Sequence, residues 1–316
     1  DLPEKKQTSN STSAKGIGQL DLFGVQSMIE PSEPKETSSF KTIVTENGKY
    51  HLVNDLEQIQ ELLTLINDQK EVCFDTETSS IEARHAELVG ISFCFKNKEA
   101  YYVPITESEN IEDNRIQLFK AFFLNPKILK IGHNLKYDIK VLNRYGINVS
   151  KNCFDTMIAH YLINPEARQS MDFLAEFYLE YKTISIVDLI GKKGKNQKNM
   201  KDLSPEQVCD YACEDADITF QLKKLFEEEV NKPHLKSLFY DVEMPLMFVL
   251  KNMENEGIAL DVPALSAFGK SVEKDLMRLT EEITKTAGET FNIDSPRQLG
   301  EILFDKLKIS SKAKKT

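Results

Sequence analysis

Long apolar runs are missing from this chain of 316 residues: no stretch of 18 or more apolar residues occurs, so no membrane-spanning helix and no membrane partner are expected. Cysteine is scarce. The five residues Cys73, Cys94, Cys153, Cys209 and Cys213 are odd in number and include no CxxC pair. That pattern argues against a disulfide scaffold and a zinc ribbon, and suits a reducing cytoplasm. A basic excess is missing too: 40 Lys and Arg against 50 Asp and Glu give a formal net charge of −10. A strongly basic coat for duplex nucleic acid is thereby disfavoured, while enzymes that meet phosphate through carboxylate-bound cations remain open. The opening DLPEKKQTSN is polar throughout and has no signal-peptide pattern. What is present, 41% hydrophobic and 28% charged residues, suffices for a globular core of two domains or one large one.

Residues 1–40 differ from the rest. They hold seven serines and few large apolar residues, a composition that reads as a flexible linker within a longer protein. One island, Gln19-Leu20-Asp21-Leu22-Phe23, interrupts it. From Lys49 the pattern becomes regular. A short strand covers Tyr50–Val53, and Asp55 is placed to cap a helix whose Leu56, Ile59, Leu62, Leu63 and Ile66 recur three and four apart. Strands are expected at Val72–Phe74, Leu88–Phe95, Ala100–Ile105 and Ile128–Ile131, with a hairpin turn at 96–99. Helices are expected over 111–123, 136–145, 156–163, 171–180 and 205–230. This order predicts an α/β domain with a mixed central sheet over 41–231. Residues 232–316 read as all-α: helices over 238–256 and 263–287, another opening at Ser295-Pro296, then a lysine-rich end. That segment is expected to begin another domain.

Carboxylates stand where these elements end. Asp75 and Glu77, two apart on a strand, point to one face and can share a cation. Asn134 and Asp138, four apart where a strand passes into a helix, are expected on one helical face. Tyr211 and Asp215 repeat that spacing on an acid-rich helix. Each piece alone has an ordinary use: acids commonly end strands, Asn caps helices, and a run such as Glu214, Asp215 and Asp217 is usually a wet surface. Together they form a set of hard oxygen donors, suited to Mg2+ or Mn2+ and not to zinc. Such a set can hold two ions about 4 Å apart, one activating water and the other stabilising a leaving oxygen in phosphodiester hydrolysis. The Tyr211 hydroxyl is the group available to orient that water.

DxE, NxxxD and YxxxD, in that order, resemble the three motifs of the tyrosine-containing branch of the DEDD exonucleases. The strings FDTET, GHNLKYD and YACEDADIT, with Gly194-Lys195-Asn196-Gln197, resemble the proofreading domain of bacterial family A DNA polymerases. EMPLMFVLKNMENEGIALD (243–261) resembles the start of the polymerase domain of that family and its thumb helices. The resemblance covers roughly 41–316. It implies a ribonuclease H-like exonuclease fold followed by a truncated thumb, and 3′→5′ removal of mismatched primer ends on DNA. It also implies two divalent cations held by Asp75, Glu77, Asp138 and Asp215, with Tyr211 positioning water, in a bacterial cytoplasm beside the nucleoid. The 5′-nuclease region and the polymerase active-site motifs of the family do not occur in this sequence. Two alternatives stand beside this reading: an RNA-trimming exonuclease of the same superfamily, against which 243–261 argues, and a non-catalytic scaffold for primer ends, against which the four intact acids argue.

Other residues have two uses each. Ile81 can wedge beside a terminal base, although local packing is the commoner fate of such a residue. Lys192, Lys193, Lys195 and Lys198 form a loop that is solvated by default and, beside a nuclease cleft, can contact phosphates. His133, and the pair Cys209 and Cys213, read as structural. The Gln19–Phe23 island resembles the peptide with which many bacterial replication and repair proteins bind the sliding clamp, with Leu22 and Phe23 as apolar anchors. The alternative is that it docks on its own fold.

Overall fold

A computed structural model describes residues 40–46, 48–105 and 115–310; the linker island Gln19–Phe23 therefore lies outside the described residues. The strands are β1 (Lys49–Leu52), β2 (Glu71–Thr78), β3 (Leu88–Lys96), β4 (Glu99–Pro104), β5 (Leu129–Gly132) and β6 (Cys153–Asp155). They form one six-stranded sheet in the order β1-β4-β3-β2-β5-β6. β2, β3 and β4 are antiparallel neighbours, while β1 on β4, β5 on β2 and β6 on β5 run parallel. The sheet is mixed, as the order of elements requires. Its principal helices are α1 (Leu56–Asn67), α2 (Leu135–Arg144), α3 (Thr156–Ile163), α4 (Pro205–Val230), α5 (Met244–Glu256) and α6 (Val262–Ala287).

Alternation along β2 assigns its two faces. Val72, Phe74 and Thr76 share one face, and Glu71, Cys73, Asp75 and Glu77 the other. The first face is apolar: Phe74 meets Phe123 edge-on at 5.1 Å, and Phe93 stacks on Phe119 at 4.8 Å. Burial of each such ring stabilises by about 2–3 kcal/mol. Asp55 caps α1 as expected, in a reciprocal pair with Gln58. The helix expected over 111–123 is seen in part: Arg115–Leu118 and Lys120–Leu124 are separate turns, broken at Phe119, whose N–H bonds back to Ile116. Residues 106–114 lie outside the described residues.

The second face of β2 is covered by α4, capped by Ser204 and Gln207 with Pro205 in its first turn. Here the structure corrects the expectation of a wet acidic surface: Glu214, Asp215 and Asp217 are all buried. Two of them are fully committed. Glu214 accepts from the Tyr181 hydroxyl at 2.6 Å and from the Ile184 N–H. Asp217 accepts from the Tyr50 hydroxyl at 3.0 Å and the Lys98 N–H at 2.8 Å. These acids tie the sheet edge and the 181–184 segment to α4, which fixes the helix that carries Asp215.

The expected helix over 238–256 is a wide turn, Leu238–Glu243, running into α5. Phe239, Met244, Met247 and Phe248 join the core of the α/β unit, with Phe239 4.9 Å from Phe154. Glu254 bridges Lys136 (2.6 Å) and Lys140 (2.8 Å) of α2, and Arg84 donates to the Glu254 carbonyl. Helix α6 follows after Gly257, whose φ of 74° ends α5. Its Leu265, Phe268, Val272, Leu276, Leu279 and Ile283 are exposed.

Candidate active site

Asp75 and Glu77 end β2, and Asp215 faces them from the middle of α4. One carboxylate oxygen from each lies within 4.8 Å of the others. Among the described residues no nitrogen or sulfur ligand joins this group, so its chemistry is that of a hard cation. Among the described residues only two buried side-chain polar atoms lack a hydrogen-bond partner, and one of them is Glu77 Oε1. A buried carboxylate oxygen with no donor is costly unless something positive meets it. The residues present therefore fit a divalent cation.

The electrostatics agree. Burial lifts the Asp75 carboxyl to about 7. Burial, then the charges of Asp75 and Asp138, push Glu77 well above the usual carboxylate range. Burial, then Asp75 and Glu77, do the same to Asp215. Crowded acids that hold protons without a cation give them up when one binds. The Tyr211 phenol, one helical turn before Asp215 and beside its carboxylate, is also raised, first by burial and then by Asp215.

Asp138 stands differently. It is buried on α2, where burial and then the charge of Asp75 push its carboxyl well above the usual range, yet it is not part of the three-carboxylate group. Its Oδ1 accepts from the Thr76 N–H at 3.2 Å and the Thr76 hydroxyl at 2.5 Å. Thr76, between the two acids of DxE, thus holds Asp138 next to the site from the opposite face of the strand. Asn134 stands just before the helix and not on it. Asn134 precedes α2 with φ 65°, a left-handed conformation that Asn tolerates and that turns β5 sharply into the helix.

The sequence profile of the 3′-5′ exonuclease family of family A polymerases matches residues 50–231, more than half of the chain. The chain belongs to this exonuclease family. Residues 262–316 match the family A DNA polymerases. DNA polymerase I of Borreliella burgdorferi is 41% identical over 298 residues, covering 92% of this chain and 32% of that protein. DNA polymerase I of Pseudomonas aeruginosa is 34% identical, covering 88% of this chain and 31% of that protein. The chain thus spans about a third of the length of these relatives. Two solved structures share the fold. The first is the POL domain of Pol1 from M. smegmatis in complex with DNA primer-template and dNTP: TM-score 0.65, 21% identity, covering 84% of this chain and 42% of that one. The second is Brucella melitensis NrnC: TM-score 0.52, 17% identity, covering 66% and 93%.

Within the exonuclease domain, the remaining predicted residues differ in exposure and in partners. Ile81 is 98% exposed, so the local packing expected of it is not found; it stands at the tip of the loop after β2. Lys192, Lys193, Lys195 and Lys198 are exposed on a loop whose C-terminal foot is tied to the segment after β2: Asn199 Nδ2 donates to the Ser79 carbonyl at 2.8 Å. His133 is structural, bridging Thr156 Oγ1 and the Gln169 carbonyl, both at 2.9 Å. Cys209 and Cys213 are buried and free.

Sequence reasoning missed Asp155. Its carboxylate accepts from Leu135 N (2.7 Å) and Asn134 N (3.3 Å) at the start of α2, and from Met157 N (2.9 Å) and Ile158 N (3.1 Å) at the start of α3. One buried acid caps two helices and fixes the entry of α2, three residues ahead of Asp138. Half of this was legible, because an Asp directly before an apolar helical run is an N-cap signal. The other half, a helix 20 residues earlier, has no local signal.

Proposed function

We propose that the chain hydrolyses the terminal phosphodiester at DNA 3′ ends, releasing nucleoside 5′-monophosphates, with Asp75, Glu77, Asp138 and Asp215 holding two divalent cations, Mg2+ or Mn2+. The observation that carries this reading is the group of three convergent carboxylates with the undonated Glu77 Oε1. When bound, the cations supply an activated water and charge stabilisation at the leaving 3′ oxygen. The chain's own residues do the rest. Asp75, Glu77 and Asp215 present oxygen donors from two rigid elements. Asp138, held beside Asp75 by Thr76, supplies the fourth carboxylate. The Tyr211 hydroxyl, beside Asp215, orients the attacking water. The exposed Ile81 separates the terminal base from its neighbour, Asn134 and the 192–198 lysines contact the strand, and frayed or mismatched ends are preferred because unstacking a paired end costs a few kcal/mol.

In this reading residues 41–231 form the exonuclease unit, 232–316 begin a polymerase domain, and 1–40 are a linker whose Gln19–Phe23 binds the sliding clamp of a bacterial cytoplasm. The relatives' names, and the matches over 50–231 and 262–316, support a parent that also polymerises DNA. The test is digestion of 3′-labelled single-stranded DNA, matched duplex and the equivalent RNA, with Mg2+, Mn2+ or chelator. Metal-dependent release of mononucleotides from single-stranded DNA, slower from matched duplex, is expected. Preference for RNA would favour the RNA-trimming alternative, and binding without cleavage would favour the scaffold.

A further inference from the structure

The second buried polar atom without a partner is Ser92 Oγ. Ser92 is fully buried on β3 and pairs directly with Asp75 of β2. In an antiparallel pair, residues directly opposite place their side chains on the same face, with Cβ atoms about 5 Å apart. Ser92 therefore stands on the face that carries Asp75 and Glu77 towards Asp215. Next along β3 on that face, opposite Glu77, is Gly90. A Cβ there would come within 2.2 Å of the Tyr102 hydroxyl, so the Tyr102 ring of β4 lies over the glycine. The two undonated atoms of the described residues, an acceptor on Glu77 and a hydroxyl on Ser92, thus occupy one small patch of one face.

A serine at this place is chemically odd as packing. Its hydroxyl gains nothing without a partner, and alanine would fill the position without a buried polar group to satisfy. A hydroxyl beside metal-ligating carboxylates has a different use. A carboxylate that gives one oxygen to a cation keeps lone pairs on the other, and outer donors of this kind orient the ligand and tune the affinity of the site. We propose that the Ser92 hydroxyl is a positioning donor for the Asp75–Glu77 pair, serving these carboxylates when both are ionised on a cation. This deepens the metal reading above and depends on it. Ser92 touches neither substrate nor the reacting atoms; it acts through Asp75 and Glu77.

The role has a sign that packing does not share. Removal of a hydroxyl without a partner should leave the chelator-treated protein as stable or more stable, while cation binding weakens. The experiment is Mn2+ titration of the DNA-free full chain, followed by electron paramagnetic resonance of free Mn2+, with thermal melting in chelator alongside. Ser92→Ala is expected to bind Mn2+ about tenfold more weakly, with an unchanged or raised Tm in chelator. Ser92→Cys keeps a donor in place, a poorer and somewhat larger one, and is expected to fall between; it takes the place of the alanine variant if that one fails to fold. Wild-type affinity in either variant overturns the role of Ser92, and a lowered Tm with unchanged Mn2+ binding makes it a packing hydroxyl. A wild-type protein that binds no Mn2+ overturns the metal reading and this proposal together. Wild-type binding matched by the variants overturns this proposal alone.

Discussion

Replacing Asp75 by Asn should stabilise the metal-free protein, and the size of the gain should depend on pH. Burial lifts the Asp75 carboxyl from an ordinary 3.8 to about 7. An acid whose folded pKa is raised binds more protons folded than unfolded, so its contribution to stability falls as pH rises through the window from about 4 to about 7. At 1.36 kcal/mol per pKa unit the full loss is about 4 kcal/mol. Asp75 is partly exposed at the strand end, and solvent screening reduces this to about 2 kcal/mol. For a chain of this size that is a shift in Tm of about 4–8 °C. In chelator at pH 8, Asp75→Asn should melt higher than the wild type by that amount, and the difference should vanish near pH 4. Saturating Mg2+ should raise the wild type and leave the variant behind. The measurement is calorimetric or circular-dichroism melting across pH 4–8, with the variant-minus-wild-type difference reporting Asp75 together with the relief that loss of its charge gives Glu77, Asp138 and Asp215. A variant no more stable than the wild type at pH 8 in chelator would refute the claim that Asp75 is held against its own charge.

Asp215→Ala should abolish metal-dependent cleavage with little loss of stability, whereas Tyr211→Phe, which keeps every ligand, should slow it by only about 10–100-fold; single-turnover rates on 3′-labelled DNA separate the two. Asp155→Ala removes the caps of both α2 and α3 and leaves buried N–H groups unpaired, so it should cost about 2–4 kcal/mol in denaturant unfolding. Equal stability would mean that the two caps are dispensable. Changing Lys192, Lys193, Lys195 and Lys198 to Gln should weaken single-stranded DNA binding at low salt and reduce the slope of log affinity against log salt by about one for each phosphate no longer neutralised. An unchanged slope would place the loop away from the strand.

The amino-acid order alone determined the candidate carboxylates and most of the elements that carry them. Acids two apart on a strand and a Tyr–Asp pair four apart on a helix are local geometry, set by periods of 2 and 3.6 residues. The same periodicity predicts α4 and α6 to within a residue, since a capping serine with Pro205, and Pro263 after Asp261, mark their starts. What local periodicity does not reach is how elements far apart in the chain come to face one another. Asp75 and Asp215 lie 140 residues apart, and only the stacking of α4 on the sheet brings their carboxylates within 4.8 Å. The acids of α4 look alike in sequence, yet Glu214 and Asp217 are tied to Tyr181 and Tyr50 of other segments, while Asp215, bonded to Tyr211 of its own helix, converges on Asp75 and Glu77. Thr76 carries no signal of its bond to Asp138, and Asp155 signals only the cap of α3, because a hydroxyl or a distant cap acquires its partner only from what the fold places against it. A dihedral preference acts on neighbours in the chain. A carboxylate's charge, protons and ligands are set by neighbours in space, and those are chosen by the packing of the whole sheet.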